Sequence, residues 1–102
     1  MASRVEQFQI RVAQQPGNPL FRFSLAQALV NESRGGEAIP HLEQCVASNA
    51  EWMMPRIMLG KLLLQVGRRG EGRKLLADAL ELAVAQSHED PERELRGLLA
   101  ET

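Results

Sequence analysis

The residue types best suited to chemistry in this chain are one cysteine and two histidines. His41 and Cys45 lie four residues apart, a spacing that places two side chains on one face of a helix. Such a pair could bind a metal ion or act as a nucleophile and its base. Zinc sites use three or four protein ligands, and no further ligand lies near this pair in the sequence. We therefore expect no metal, no cofactor and no catalysis. The alternative is a small enzyme or metal protein that also uses His88.

A glycine-rich segment at residues 67–72 superficially resembles a phosphate-binding loop. Such a loop needs a preceding strand and a Gly-Lys-Ser/Thr element, and the sequence Gly-Arg-Arg-Gly-Glu-Gly provides neither. The segment is instead typical of a turn between two helices, with Gly67 as the C-cap. It carries a basic patch, which we interpret as a solvated turn, with binding of an acidic partner as the alternative. The patch consists of Arg68, Arg69, Arg73 and Lys74.

Composition and charge narrow the classes of function. The 102 residues are 44% hydrophobic and 25% charged, with a net charge of −1, which is near the globular average and lacks the basic excess of a nucleic-acid binder. The most apolar stretch, residues 57–66, is about half the ~20 residues that span a bilayer. Residues 1–10 lack the apolar core of a secretory signal. We expect a cytoplasmic protein with no nucleic-acid or membrane partner, and a single cysteine suits a reducing compartment.

Periodicity is a stronger signal than any of these motifs. Leu25, Ala26 and Leu29 recur thirty-four residues later as Leu59, Gly60 and Leu63. A fixed period of this length is typical of a helix-turn-helix repeat that buries its apolar face on its neighbours. The same period relates Arg22 to Arg56, Glu37 to Glu71, Ala38 to Gly72, Leu42 to Leu76, Cys45 to Ala79, and Val46 to Leu80.

Hydrophobic spacing and capping residues predict six helices and no strand. Asn18 before Pro19 and Asp90 before Pro91 are typical helix starts, because Asn and Asp accept hydrogen bonds from free amides and proline fits the first helical position. In the first helix, Val5, Phe8, Val12 and Ala13 are expected to face inward. The predicted helices cover residues 3–15, 19–31, 37–48, 52–66, 71–86 and 91–100.

Residues 19–86 resemble two tetratricopeptide repeats (TPRs). The residues that match the family pattern of large and small side chains are Leu25, Ala26, Leu29, Ala38, Leu42 and Cys45 in the first repeat, and Leu59, Gly60, Leu63, Gly72, Leu76 and Ala79 in the second. The chain departs from the pattern at Arg22 and Arg56, where the family usually has tryptophan. At Gly60 and Gly72, as at Ala26 and Ala38, small residues should let the two helices of a hairpin approach closely.

The resemblance implies an all-α fold, a right-handed α-solenoid of two TPR helix-turn-helix units with an extra helix at each end. One domain would cover residues 1–102, with an N-terminal helix at 3–15, repeats at 19–52 and 53–86, and a polar-faced capping helix at 90–101. It also implies a non-catalytic protein–protein interaction module, because members of this family bind peptides in the concave groove lined by the first helix of each repeat.

The groove places implied by the resemblance are mostly apolar. They are Leu20, Phe23, Gln27, Val30, Asn31, Met54, Ile57, Lys61, Leu64 and Gln65. Some family members bind a C-terminal carboxylate through Lys and Asn in the groove, and this chain has other residues at the matching places. We therefore expect a partner that offers an amphipathic helix or an extended apolar segment.

Two alternatives concern this apolar face. A terminal helix could fold over it, which would make Phe23, Met54 and Ile57 ordinary core residues. The face could instead join two copies of the chain as a homodimer, because exposed apolar patches often mark oligomer contacts. Trp52 and Met53, next to Met54, are either an adaptable exposed contact or internal packing.

Overall fold

The computed structural model describes residues 3–102, which form six α-helices and no strand. The predicted all-helical class is therefore confirmed for this part of the chain, and none of its helices is long and apolar enough to cross a membrane. Met1 and Ala2, which belong to the segment tested for a secretory signal, lie outside the described residues. The helices are α1 Arg4–Gln14, α2 Pro19–Asn31, α3 Gly35–Ser48, α4 Met53–Gln65, α5 Arg69–Ala85 and α6 Glu89–Glu101.

The six helices divide into two units, Met1–Asn49 and Ala50–Thr102. In the first unit, α2 packs against both α1 and α3. In the second unit, α5 packs against both α4 and α6. Each unit therefore contains one helical hairpin, α2–α3 or α4–α5, and one additional helix.

The two hairpins close with the same turn. Ser33 and Gly67, thirty-four residues apart, both have left-handed backbones, with φ of 61° and 86°. The N–H of the next residue donates a hydrogen bond of 2.8 Å to the carbonyl oxygen of Leu29 in one turn and of Leu63 in the other. This is the Schellman arrangement that satisfies free carbonyls at a helix end. Gly67 ends α4 as predicted, although it is the residue after the C-cap, which is Val66. Ser33 adopts the same left-handed conformation without the freedom of glycine.

Close approach of α4 and α5 depends on two glycines. A Cβ atom built on Gly72 would lie 2.8 Å from the carbonyl oxygen of Gly60, and one built on Gly60 would lie 2.8 Å from the side chain of Leu76. The expected contact between these small residues is confirmed. In the first hairpin, Ala26 and Ala38 are both completely buried.

The core is aliphatic in each unit. In the first unit, the fully or nearly fully buried side chains include Val5, Leu25, Leu29, Leu42 and Cys45. In the second, a cluster joins α4, α5 and α6 through Met53, Ile57, Leu76, Ala79, Ala83 and Leu95. The prediction that Ala13 faces inward is wrong, because this residue is exposed. Phe8 and Val12, which were also predicted to face inward, are half-buried.

Three helices begin two residues before their predicted starts. Helix α3 begins at Gly35 and α5 at Arg69, because glycine is tolerated in the first turn, where few backbone bonds depend on it. The predicted capping role of Asp90 is wrong, since His88 is the N-cap of α6 and Pro91 is its third residue. The predicted cap of α2 is confirmed, because the Asn18 side-chain oxygen accepts a 3.0 Å bond from the N–H of Leu20.

Candidate interaction surface

In the first unit, the predicted binding residues share one side of α2. Leu20 is the most exposed of them, at 63%. Gln27 and Asn31 are also exposed, whereas Phe23 and Val30 are half-buried. Their spacings of three, four, three and one residues place them on one helical face. The structure thus groups these five residues, which we call the α2 face, on the side away from the buried hairpin contact.

In the second unit, the five matching residues of α4 are not equally open. Met54 is 48% exposed and Gln65 is exposed, whereas Lys61 and Leu64 are half-buried. The expectation that Ile57 lies open is wrong, because it is only 6% exposed and belongs to the core cluster of this unit. Of the predicted residues on α4, Met54 therefore supplies the exposed apolar surface.

Ile57 belongs to a core that α4 shares with α5 and α6. Leu95 of α6 lies in the same core cluster as Ile57, and Leu64 packs against that cluster. The Lys61 ammonium group donates a hydrogen bond to the Glu94 carboxylate of α6. The alternative in which Phe23, Met54 and Ile57 are ordinary core residues is therefore correct for Ile57 and wrong for Met54, whereas Phe23 is half-buried. Helix α6 thus packs in this unit by burying Leu95 and by pairing the Glu94 carboxylate with Lys61 of α4.

Exposed apolar side chains recur at one position of the repeat. Leu20 and Met54 are each the second residue of their helix, and they lie thirty-four residues apart. The adjacent Met53 is buried at 8% and Trp52 is half-buried, so Met54 carries the exposed part of this methionine-rich segment. The large hydrophobic residues exposed in the described chain are Ile10, Leu20, Met54, Val66 and Val84.

His41 and Cys45 do not form an activated pair. The Cys45 thiol is completely buried and donates to the carbonyl oxygen of Pro19 over 3.6 Å, and burial raises its pKa. His41 is half-buried, and its Nδ1 atom lies 3.3 Å from Arg22 Nη1. Burial and then the Arg22 charge lower the pKa of His41. The thiol therefore keeps its proton, unlike a cysteine nucleophile.

Metal-ligating side chains are also dispersed. Among residues 3–102, no three His, Cys, Asp or Glu side chains are grouped so that they could hold a metal ion. A ligand set built on His41 and Cys45 would therefore lack its third member within this part of the chain.

Two residues of the basic patch at the α4–α5 turn, Arg68 and Arg73, make contacts within the second unit. Arg68 forms an ion pair of 2.5 Å with Glu71. Arg73 donates to the carbonyl oxygen of Leu99 over 3.3 Å and to the Thr102 hydroxyl over 2.5 Å. The two hydrogen bonds of Arg73 connect the first part of α5 to the end of α6. The ion pair of Arg68 with Glu71 lies within the turn itself, whereas Arg73 has a structural role that the sequence did not indicate.

Sequence reasoning also missed a shared role of the two arginines that replace the family tryptophan. Arg22 Nε donates to the carbonyl oxygen of Pro16 over 3.3 Å, and Arg56 Nε donates to that of Ala50 over 3.0 Å. Both bonds reach back six residues, so they fasten the segment before each hairpin to its first helix. The recurrence of Arg at the same interval was the available signal.

Comparison with known proteins gives one structural relative that is similar over nearly the whole chain. The solution structure of protein BPP2914 from Bordetella parapertussis matches with a TM-score of 0.81 and 25% sequence identity, and the match covers 99% of this chain and 88% of that one. No family model and no curated protein matches the chain. The structural likeness supports the helical fold.

Proposed function

We propose that this chain is a non-catalytic protein–protein interaction module that binds an amphipathic helix or apolar peptide of a partner. The observation that carries the proposal is the exposure of Leu20 and Met54, at 63% and 48%, at the same position of both hairpins. Exposed apolar side chains that recur in a repeat supply anchor points for a partner. The exposed amides Gln27, Asn31 and Gln65 would set the register of that partner through hydrogen bonds.

The packing of α6 supports a helical ligand. This helix contributes the buried side chain of Leu95 to the core cluster of the second unit, and its Glu94 carboxylate pairs with Lys61 of α4. Amphipathic helices generally bind apolar grooves through anchors at such helical spacings. A partner helix of similar character, with apolar residues three and four apart, is the ligand class that we propose for the α2 face.

The TPR assignment and the cytoplasmic location are part of this proposal. The turns at Ser33 and Gly67 and the Gly60–Gly72 contact support two TPR hairpins. We propose that these hairpins belong to an α-solenoid with α6 as its cap. The absence of a basic excess supports a protein partner over nucleic acid.

The test compares partner capture by three forms of the full chain. Leu20→Asp combined with Met54→Asp places a charge at both exposed anchors, and Val84→Asp is the matched control because Val84 is 49% exposed on α5. All three forms should show equal helicity by circular dichroism, since surface substitutions change stability little. Quantitative mass spectrometry should find proteins that the wild type and Val84→Asp capture and the double variant does not. Equal capture by all three forms would refute the proposal.

Self-association is the second candidate function. Five large hydrophobic side chains are exposed in the described residues, and an apolar surface of this kind can join two copies of a chain. In that case the double variant would change the oligomeric state of the protein rather than its binding to other proteins. Comparing the mass of the wild type with that of the double variant separates the two candidates.

A further inference from the structure

Two surface recesses occur at matching places in the two hairpins. The first has a volume of about 170 Å³ and is lined by Pro16, Gly17, Pro19, Arg22, Gln44 and Ser48. The second has a volume of about 360 Å³ and is lined by Ala50, Arg56, Asp78, Glu81, Leu82 and Ala85. The thirty-four-residue period relates Arg22 to Arg56 and Gln44 to Asp78. The two recesses therefore occupy equivalent positions in the repeat, and each is lined by one arginine.

The two recesses differ in the partner of that arginine. Arg56 Nη1 lies 3.8 Å from the Asp78 carboxylate, and the Arg56 side chain is only 14% exposed. At the matching place in the first hairpin, the residue is Gln44, which carries no charge. Among residues 3–102, the contacts of the Arg22 guanidinium are the Pro16 carbonyl oxygen and His41 Nδ1. No carboxylate of the described chain neutralises Arg22 as Asp78 neutralises Arg56.

The local field around Arg22 also favours an anion. Arg22 is the fourth residue of α2, and the first turn of α2 contains no acidic residue. The positive end of the helix dipole therefore adds to the guanidinium charge without a compensating carboxylate in that turn. Because arginine only donates, His41 Nδ1 acts as the acceptor in their contact, which leaves the remaining guanidinium donors for a ligand. The recess is larger than the ~10–15 Å³ that a single water requires.

We propose that the recess around Arg22 binds a carboxylate group from outside the chain, in the place that Asp78 provides for Arg56. The carboxylate accepts charge-assisted hydrogen bonds from the Arg22 guanidinium, the planar donor geometry of which matches a carboxylate. Gln44 lines the same recess, and its side-chain amide N–H can donate to the second oxygen. The Ser48 hydroxyl also lines the recess, but it already donates to the Cys45 carbonyl oxygen over 2.8 Å. This site lies around Arg22 and Gln44 rather than on the α2 face, so it does not depend on the proposed function.

The first test titrates the full chain with sodium acetate and follows the Arg22 Nε–Hε signal by NMR. Acetate replaces chloride at constant ionic strength, because screening alone would otherwise shift surface signals. We expect saturable shifts with half-saturation at roughly 10 mM, a weak affinity that reflects a single small anion. Absent or non-saturating shifts at Arg22 would overturn the proposal.

Two exchanged variants sharpen the test. Gln44→Asp recreates in the first hairpin the carboxylate of the second, so it should weaken acetate binding at Arg22 at least about tenfold by occupying the guanidinium. The converse change is Asp78→Gln combined with Glu81→Ala, because Glu81 also lines the second recess and Ala47 occupies the matching place in the first hairpin. This double variant should produce an acetate-dependent shift at Arg56. Circular dichroism checks that both variants keep their helicity. Acetate binding at Arg22 that is unchanged by Gln44→Asp would overturn the proposal. If that variant does not fold, the absence of an acetate-dependent shift at Arg56 in the Asp78→Gln, Glu81→Ala variant would overturn it instead.

A final comparison identifies the source of the carboxylate. The probes are acetate and the blocked tripeptide acetyl-Ala-Glu-Ala-amide, with the Gln tripeptide as control. If the Glu tripeptide binds at least about tenfold more tightly than acetate, the site recognises an acidic side chain of a protein. Equal affinities would indicate a small free carboxylate. Binding of the Gln tripeptide as strong as that of the Glu tripeptide would show that charge is not recognised and would overturn the proposal.

Discussion

Replacement of Gly72 by alanine tests the close contact that holds the second hairpin together. The added Cβ atom would lie 2.8 Å from the Gly60 carbonyl oxygen and 3.1 Å from Leu64 Cγ. The carbonyl belongs to the backbone of α4 and cannot rotate away as a flexible side chain can. The two helices would have to move apart, and such overpacking of a tight interface typically costs about 1–3 kcal/mol.

A second glycine in the same unit provides the control. Gly97 lies within α6, and a Cβ atom built there meets nothing within 4 Å. Gly97→Ala should stabilise the protein by about 0.5–1 kcal/mol, because glycine in a helix interior loses more backbone entropy on folding than alanine. Gly72→Ala should gain a similar amount of stability from helix propensity, but its added methyl group also clashes with the Gly60 carbonyl oxygen. The difference between the two variants, about 1–3 kcal/mol, therefore isolates the cost of the contact.

The assay is urea unfolding followed by circular dichroism for the wild type and both variants. In domains of this size, 1 kcal/mol corresponds to roughly 4–8 °C in melting temperature, so thermal melts give a second measure. We expect Gly97→Ala to be the most stable form and Gly72→Ala the least stable. If Gly72→Ala is as stable as Gly97→Ala, the helices are not in the tight contact described here and the reasoning is wrong.

Three further predictions concern the core and the titrating groups. Leu95→Ala should lower the free energy of unfolding by about 2–5 kcal/mol because Leu95 is completely buried, whereas Leu20→Ala should change it by less than about 0.5 kcal/mol. The Cys45 thiol should react with Ellman's reagent at pH 8 only after unfolding, since it is buried and its pKa is raised; rapid reaction in the native protein would contradict this. The lowered pKa of His41 means that the unfolded chain binds this proton more readily, so acidification below about pH 6.5 should reduce stability. In His41→Gln this part of the pH dependence should disappear, and an unchanged pH profile would show that His41 is not its source.

Much of the fold could be predicted because the period constrains many positions at once. If a side chain faces the core in one hairpin, the side chain thirty-four residues away is expected to face the core of the other. Leu29 and Leu63, which are both buried, are an example. The caps at Asn18 and Gly67 follow from local chemistry that acts over a few residues. Helix starts next to glycine were less predictable, because Gly35 and Gly70 suit a turn and the first helical turn equally well.

The candidate surface was less predictable than the fold. Ile57 is buried in a cluster that joins α4 to α5 and α6, and no local pattern specifies such packing between residues distant in sequence. The role of Arg22 and Arg56 was likewise hidden, because a departure from a family pattern does not show which atoms the new side chain contacts. Leu20 and Met54 are exposed, as expected for residues that were predicted to line a binding groove.

If Leu20 and Met54 bind a foreign partner, the protein should not use them to bind a second copy of itself, and the molar mass in solution decides between these cases. Sedimentation over about a hundredfold range of concentration reveals self-association by mass action. We predict a monomer of 11.3 kDa throughout, which leaves Leu20 and Met54 available to another protein. A dimer that Leu20→Asp with Met54→Asp dissociates, and that Val84→Asp does not, would contradict the claim by showing that the chain uses this surface to bind itself.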